Sequence, residues 1–253
     1  MHAHITVVTS NIRFDNPADG SHSWQHRREN LAQLILSQDP HIIGTQEGRE
    51  PQLRELASLL PGYRILETNR HWIDERMYPT LFVKEAHVLP IDSGDVWLSE
   101  TPHISGSSSF DSAFPRLFTW SKMRIGSEKW LVVNVHLDHV KSSTRLSQIA
   151  VLANEVARLR SNERLIILGD FNDSPQSEVQ LQLLQAFPEL IDPWPHPEES
   201  SHHPFTGENT EGSRIDWILL DQRHREAKIE MLKQSMNGTW PSDHFPIVCR
   251  FRP

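Results

Sequence analysis

The stretch RLIILGDFND, residues 164–173, decides the fold of this chain more than any other segment. Its four consecutive large apolar residues, 165–168, predict a strand that is buried on both faces. Because side chains alternate along an extended backbone, Asp170 and Asn172 are expected to point in the same direction. A buried strand with an oxygen-rich end suits a metal-assisted active site, but Asp and Asn are also common in ordinary turns. From this stretch alone, both interpretations stay open.

The composition is that of an ordinary globular protein, with 253 residues, 37% hydrophobic and 23% charged. No apolar run reaches 18 residues, so no membrane span is predicted. The first residues lack a basic region followed by an apolar one, so we expect no signal peptide. The single cysteine, Cys249, excludes an internal disulfide and fits a reducing compartment. We therefore expect a cytoplasmic protein, monomeric by default.

The charge balance limits the kind of partner that the protein binds. A net charge of -8 argues against tight, sequence-independent binding of nucleic acid, because such binding depends on a basic surface. We expect no strong basic nucleic-acid patch. Catalysis on a phosphoester is still compatible with this charge, since a bound divalent cation reverses the local field.

The apolar periodicity predicts strands that alternate with a smaller number of helices. Helices are predicted over residues 24–38, 51–60, 143–160 and 177–187. Strands are predicted over 5–11, 41–47, 63–66, 80–83, 88–97, 116–120, 129–139, 165–168, 215–220, 228–231 and 247–251. No repeat, linker or shift in composition divides the chain, so we expect a single domain over residues 1–253. Two packed sheets with helices on their outer faces satisfy this pattern.

Polar residues recur at the ends of six predicted strands. They are Asn11, Glu47, His136, Asp170, Asn172, Asp216, Asp243 and His244. If the strands share one sandwich, these side chains meet at one rim, where the carboxylates would repel each other without a cation. Glu47, Asp170 and Asp243 offer oxygen ligands suited to magnesium or manganese. The lack of cysteine clusters and of an HExxH motif argues against zinc.

Several motifs occur in an order that resembles a known family. They are SNIR at 10–13, TQE at 45–47, NVHLDH at 134–139, GDFN at 169–172, RIDWI at 214–218 and SDHFPI at 242–247. The chain resembles the endonuclease/exonuclease/phosphatase family of Mg-dependent phosphoester hydrolases, and within it a bacterial group of mostly unassigned substrate. The resemblance implies a four-layer α/β/β/α sandwich of two mixed β-sheets, with helices on the outer faces.

The resemblance also implies roles for the polar strand ends. Glu47 resembles the principal ligand of Mg²⁺, with Mn²⁺ as the substitute ion and with Asn11 and Asp243 beside it. His244 resembles a general base or phosphate-stabilising histidine, and Asp216 the carboxylate that sets its tautomer. The remaining residues act on water and phosphate: the pair Asp170 and Asn172 orients them, and His136 donates to the phosphate or assists the leaving group. Whether the proton of the water goes to Asp170 or to His244 stays open.

A second set of residues is proposed to contact the substrate. Arginine forks match the geometry of phosphate, which makes Arg13, Arg116 and Arg145 candidates. By alternation along its strand, Asp138 is expected to lie on the side of His136, and His139 to face elsewhere. The loops over residues 70–78, 104–115 and 194–213 are expected to face the substrate.

The leading hypothesis is a divalent-metal-dependent phosphoester hydrolase, with preference for a phosphodiester, in which an activated water attacks in line. The substrate would be a phosphoester of a small molecule or of a nucleic acid. A nuclease acting on DNA or RNA is the alternative. A phosphomonoesterase and a non-catalytic binding module on the same fold rank below it.

Overall fold

The computed structural model describes residues 4–68, 70–236 and 238–253, and its elements follow the predicted order. The strands are β1 (Ile5–Asn11), β2 (Ile42–Gly48), β3 (Tyr63–Leu66), β4 (Tyr78–Lys84), β5 (Val88–Trp97), β6 (Leu117–Ile125), β7 (Glu128–His136), β8 (Arg164–Asp170), β9 (Leu190–Ile191), β10 (Asp216–Asp221), β11 (Lys228–Met231) and β12 (Ile247–Phe251). The α-helices are α1 (Trp24–Ser37), α2 (Glu50–Leu59), α3 (Ser142–Leu159) and α4 (Glu178–Ala186).

The two predicted boundaries that differ most from the structure both lie in the β6–β7 hairpin, and the two-residue β9 was not predicted. β6 runs five residues beyond the predicted end, because it pairs with β7 up to Ile125 opposite Glu128 around a tight turn at Gly126. β7 ends at His136, three residues before the predicted end. The chain leaves the extended conformation there, so alternation no longer describes residues 137–139.

The strands form two mixed six-stranded sheets. The first has the order β11-β12-β1-β2-β4-β3 and the second β5-β6-β7-β8-β10-β9. β1 is parallel to β2 and antiparallel to β12, so the two ends of the described chain meet in one sheet. In the second sheet, β8 is parallel to β7 and antiparallel to β10.

Three apolar layers confirm the predicted α/β/β/α sandwich. One layer lies between the sheets, a second lies under α1 and α2, and a third lies under α3 and α4. Strand β8 contributes to two of them. Ile166 and Leu168 belong to the layer between the sheets, whereas Leu165 and Ile167 pack under α3 and α4. All four side chains are fully buried, so β8 is covered on both faces as predicted.

A buried hydrogen-bond network, formed by Gln46 and Asn134, connects the two sheets next to the strand ends that carry the polar residues. The Gln46 side-chain amide donates to Asn134 Oδ1 at 2.7 Å, and Asn134 Nδ2 donates to the carbonyls of Thr45 and Thr80. Both side chains are completely buried, so these bonds offset the cost of removing the amides from water. This network holds β2 and β7 in one relative position. None of the helices among the described residues combines the length and the apolar character needed to cross a membrane.

Candidate active site

Strand register in the second sheet aligns three of the predicted site residues. His136 is the register partner of Asp170 across the parallel β7–β8 pair, and Asp170 is the partner of Asp216 across the antiparallel β8–β10 pair. Gly169 permits this close approach, since its φ is +142° and a Cβ atom there would lie 2.0 Å from the Val135 carbonyl oxygen. The three polar side chains therefore lie in a row at one edge of the sheet.

The first sheet brings Asn11 and Glu47 to the same edge. Asn11 Nδ2 donates to Glu47 Oε1 at 3.1 Å and to Asp170 Oδ2 at 2.9 Å, so one amide connects both sheets. The backbone N–H of Phe14 donates to Glu47 Oε2. Each Glu47 oxygen accepts only one of these bonds and retains capacity for another ligand.

Three non-glycine residues of this site have left-handed backbone conformations. The φ angles are +52° at Arg13, +68° at Glu47 and +51° at Asn172. Glu47 lies where the pairing of β2 with β4 changes register. Such conformations are costly for residues with a Cβ atom and cluster at functional sites, which supports a functional role for this edge.

A histidine–carboxylate pair lies on the β10 and β12 side of the site. His244 Nδ1 and Asp216 Oδ2 are 2.8 Å apart, and Ser201 Oγ donates to the same carboxylate oxygen at 2.7 Å. Burial lowers the pKa of His244, but the negative charge and hydrogen bond of Asp216, together with Asp170 and Asp243, outweigh it and raise the pKa to about 10. His244 is therefore an imidazolium at neutral pH in the metal-free protein.

Asp170 lies between the two sheets in a nearly water-free position. Burial and the nearby Asp216 carboxylate raise its pKa to about 7, although His244 and bonds from Asn11 and Asn172 favour the ionised form. The Asn172 N–H donates to Asp170 Oδ1 at 2.9 Å, and its side-chain amide donates to the Leu137 carbonyl. Asp170 and Asn172 line the same pocket as expected, but a turn after β8 places Asn172 there, and not extended alternation.

His136 has the opposite electrostatic environment to His244. Arg116 Nη1 lies 3.0 Å from His136 Nδ1. Because a guanidinium only donates, Nδ1 is the acceptor and the proton of the neutral ring is on Nε2, 3.5 Å from Asp170 Oδ2. Burial and the Arg116 charge hold the pKa of His136 well below its usual 6.5. His136 is therefore a neutral hydrogen-bond donor.

The prediction for His139 was wrong, and the position of Asp138 does not support its expected contact with substrate. His139 lines the pocket, and its Nδ1 lies 3.3 Å from Arg116 Nη2. Asp138 is not among the lining residues. It is fully buried and accepts hydrogen bonds from the backbone N–H groups of Ala113, Val140 and Lys141, so it organises the loops. The reason is the end of β7 at His136, beyond which side chains no longer alternate.

The three candidate arginines have different positions. Arg116 and Arg13 line the pocket, and Arg13 forms a bidentate ion pair with Asp19 while lying 3.8 Å from Asp243 Oδ2. Arg145 is not a lining residue, since it pairs with Asp173 at 2.8 Å and donates to the Asp138 carbonyl. Its expected contact with substrate is not supported by this position.

The pocket has a volume of about 260 Å³. It is lined by Arg13, Phe14, Glu47, Met77, Phe114, Arg116, His136, His139, Asp170, Asn172, His202, Ile215, Asp243 and His244. Met77, Phe114 and His202 come one each from the three loops that were expected to face the substrate. Sequence patterns did not single out His202, which forms an isolated β-bridge with His244. The only sequence feature that pointed to His202 was its position in a long loop.

Sequence reasoning also missed Arg27, a buried residue of α1 that positions two site segments. Its guanidinium donates to the backbone carbonyls of Ile12, Arg13 and His22 on one side and to that of Pro241 on the other. These contacts hold the turn with Arg13 against the segment that leads into Asp243. No sequence pattern distinguishes a helical arginine that positions backbone segments from an exposed one.

The chemistry of the donors fits a hard divalent cation. Within the described residues, two sets of three potential ligands lie close together, one of His202, Asp243 and His244 and one of Asp170, Asp216 and His244. Both sets include His244, whose Nδ1 already contacts Asp216. Magnesium prefers oxygen ligands, and the Glu47 and Asp243 carboxylates line the pocket. These two carboxylates fit the cation better than the histidine-containing sets.

Comparison with known proteins agrees with this geometry. A mannosyl-6-phosphatase of Bacteroides thetaiotaomicron is 25% identical, with 97% of this chain and 98% of that chain covered and a TM-score of 0.87. A functionally unknown conserved protein of Enterococcus faecalis is 28% identical, with 98% and 100% covered and a TM-score of 0.83.

A curated sequence relative covers less of the chain. Uncharacterized protein L388 of Acanthamoeba polyphaga mimivirus is 23% identical over 167 residues, and the match spans 60% of this chain and 60% of that relative. The model of the Endonuclease/Exonuclease/phosphatase family matches residues 8–244, which include the predicted motifs up to His244 in the last of them. The chain therefore belongs to the Endonuclease/Exonuclease/phosphatase family.

Proposed function

We propose that this protein is a divalent-metal-dependent phosphoester hydrolase. The observation that carries the proposal is the meeting, in one pocket of about 260 Å³, of carboxylates from both sheets with a charged and a neutral histidine. A phosphoester substrate needs this combination, since its oxygens accept hydrogen bonds while a water molecule must lose a proton. The mannosyl-6-phosphatase named above supports the same class of reaction.

A divalent cation, Mg²⁺ or Mn²⁺, would be held by Glu47 and Asp243 with Asn11 beside them, and when bound it polarises the phosphoryl oxygen. The side chain of Asn11 keeps the Glu47 and Asp170 carboxylates close to each other through its two hydrogen bonds. Asp170 thus lies next to the proposed cation position.

Asp170 is the proposed general base. Its raised pKa, about 7, allows it to accept a proton from water near neutral pH. His244 is a poor base because its imidazolium is held by Asp216, and we propose that it donates a hydrogen bond to the phosphoryl group instead. His136, neutral with its proton on Nε2, donates to a phosphoryl or leaving-group oxygen. Asn172 helps to orient the water beside Asp170.

The test is hydrolysis of p-nitrophenyl phosphate and bis(p-nitrophenyl) phosphate by chelator-treated protein with no metal, Mg²⁺ or Mn²⁺. We expect activity only with a metal, and at least a 100-fold loss of kcat/KM in Glu47→Gln and in His244→Gln. Glu85→Gln, a change at an exposed carboxylate remote from the pocket, is the matched control and should retain full activity.

Full activity in both site variants would reject the proposed roles. Binding of Mg²⁺ by calorimetry without turnover of these esters, sugar phosphates, nucleotides, DNA or RNA would favour a non-catalytic binding module. Turnover of DNA or RNA in preference to small esters would favour the nuclease.

A further inference from the structure

Arg116 is a buried cation that contacts two neutral imidazole rings. Its residue is 6% exposed, and its guanidinium contacts the Nδ1 atoms of His136 and His139. Among the described residues, no carboxylate oxygen lies within 4.0 Å of its nitrogen atoms, and Glu47, Asp170 and Asp138 act on it only from farther away. Burial of an uncompensated guanidinium costs several kcal/mol, so a local anion would stabilise it.

The other buried arginine side chains have partners of a different kind. Arg70 forms a bidentate ion pair with Asp95, and Arg214 pairs with Asp192. Arg27 donates to four backbone carbonyls. Arg116 differs from all three, because it is the one of these four that lines the candidate active site. A ligand in that pocket can therefore supply the negative charge that compensates the Arg116 guanidinium.

The two histidines complete a set of donors around Arg116. A guanidinium has no acceptor atom, so both Nδ1 atoms must accept from it and both neutral rings carry their proton on Nε2. His136, His139 and Arg116 all line the pocket and can offer it only N–H groups. Such a surface suits phosphoryl oxygens that are neither protonated nor esterified, because these oxygens only accept hydrogen bonds.

We propose that Arg116, His136 and His139 form a subsite for the dianionic phosphoryl group of a phosphomonoester of a small molecule, an inference that rests on the proposed hydrolase function. A monoester presents three unesterified oxygens and two negative charges. A diester presents one charge and would place a second carbon substituent against this surface. The volume of about 260 Å³ and the walls formed by Phe14, Met77 and Phe114 leave room for a small leaving group.

The experiment compares kcat/KM for p-nitrophenyl phosphate and bis(p-nitrophenyl) phosphate with the Mg²⁺-loaded protein. We expect the monoester to be preferred at least about 10-fold. Arg116→Met should lower the monoester value about 100-fold and the diester value far less, so the preference collapses. Inorganic phosphate should inhibit the wild type and lose at least about 10-fold in affinity for the variant.

His139→Gln keeps the experiment decisive if Arg116→Met does not fold, because His139 is exposed at the pocket edge. This variant should lower the monoester preference about 5-fold, mainly through KM, since it loses a donor to the bound phosphoryl group. Arg158→Met removes an exposed arginine that pairs with Glu155 on α3 and should leave the preference unchanged.

The outcomes separate the two proposals. Hydrolysis of neither ester by the metal-loaded protein would reject both the hydrolase function and the subsite. Preference for the diester, or an unchanged ester preference in a folded Arg116→Met or His139→Gln protein, would reject the subsite and leave the hydrolase function standing.

Discussion

His136 and His244 lie in the same pocket and are almost equally buried, yet His136 is neutral and His244 is positively charged at neutral pH. Arg116 beside His136 adds to the effect of burial and keeps that ring neutral. Asp216 beside His244 overcomes burial and keeps that ring protonated. Because burial lowers the pKa of both rings, the difference in charge between them comes from the ionic group beside each one.

The same contrast divides the pocket into two sides. The Arg116 side, formed by Arg116, His136 and His139, presents N–H donors and a buried positive charge. The Asp216 side, formed by Asp216 and His244, is built around a carboxylate. Asp170 lies between the sides, next to both His136 and Asp216. We infer that the Arg116 side binds phosphoryl oxygens. On the Asp216 side, Asp216 keeps His244, which faces these oxygens, positively charged.

The largest effect should come from removal of the negative charge of Asp216, which keeps His244 protonated. Asp216→Asn keeps the size of the side chain but takes away the partner of His244 Nδ1, so we expect kcat/KM to fall about 10³- to 10⁴-fold. The matched control is Asp221→Asn at the other end of β10, where Asp221 pairs with Arg223. Steady-state kinetics in which both variants lose the same amount would contradict the role of Asp216.

A smaller effect is expected on the other side of the pocket. His136→Ala removes one neutral donor and should lower kcat/KM about 100-fold. His136→Gln supplies an amide N–H and should recover about 10-fold of this loss. The exposed His103→Gln serves as control. Equal activity of the Ala and Gln variants would show that the His136 donor is not needed.

The charge difference can be measured directly by NMR titration of the metal-free protein. We expect His244 to lose its proton near pH 10 and His136 to stay neutral down to acidic pH. Because the pKa of His244 is above its unfolded value of 6.5, its stabilising effect is complete below pH 6.5 and is lost as the pH rises to about 10. The melting temperature of Asp216→Asn should therefore fall less over this range than that of the wild type. Parallel curves for the two proteins would refute this linkage.

The smallest effect concerns a third buried histidine, outside the pocket. His203 stacks on Phe245 with ring centroids 4.0 Å apart and accepts a bond from the Gly207 N–H, and burial lowers its pKa to about 4. Since the unfolded chain binds this proton more tightly, stability should be lost as the pH falls from 6.5 to 4, by about 2 kcal/mol. Urea unfolding of wild type and His203→Phe at pH 7 and pH 4.5 measures this loss, which should be smaller in the variant.

Much of the fold was predictable because its signals are local. Apolar periodicity located the strands, and a four-residue apolar run identified β8 as covered on both faces. The polar residues at the strand ends met at one edge because neighbouring strands in register bring their ends together, as His136, Asp170 and Asp216 show. The prediction for His139 was wrong because it extended a local alternation beyond the end of β7.

The sequence by itself therefore determined the layered fold and the chemistry available at the strand ends, since both follow from neighbours along the chain. Only the tertiary structure decided which groups face each other. Asn11 connects to Asp170 across 159 positions, and Arg116, just before β6, contacts His136 at the end of β7 and His139 beyond it. Charge and tautomer depend on distances in space, and these distances also place Asp170 and Asn172, at the end of RLIILGDFND, in the lining of one pocket.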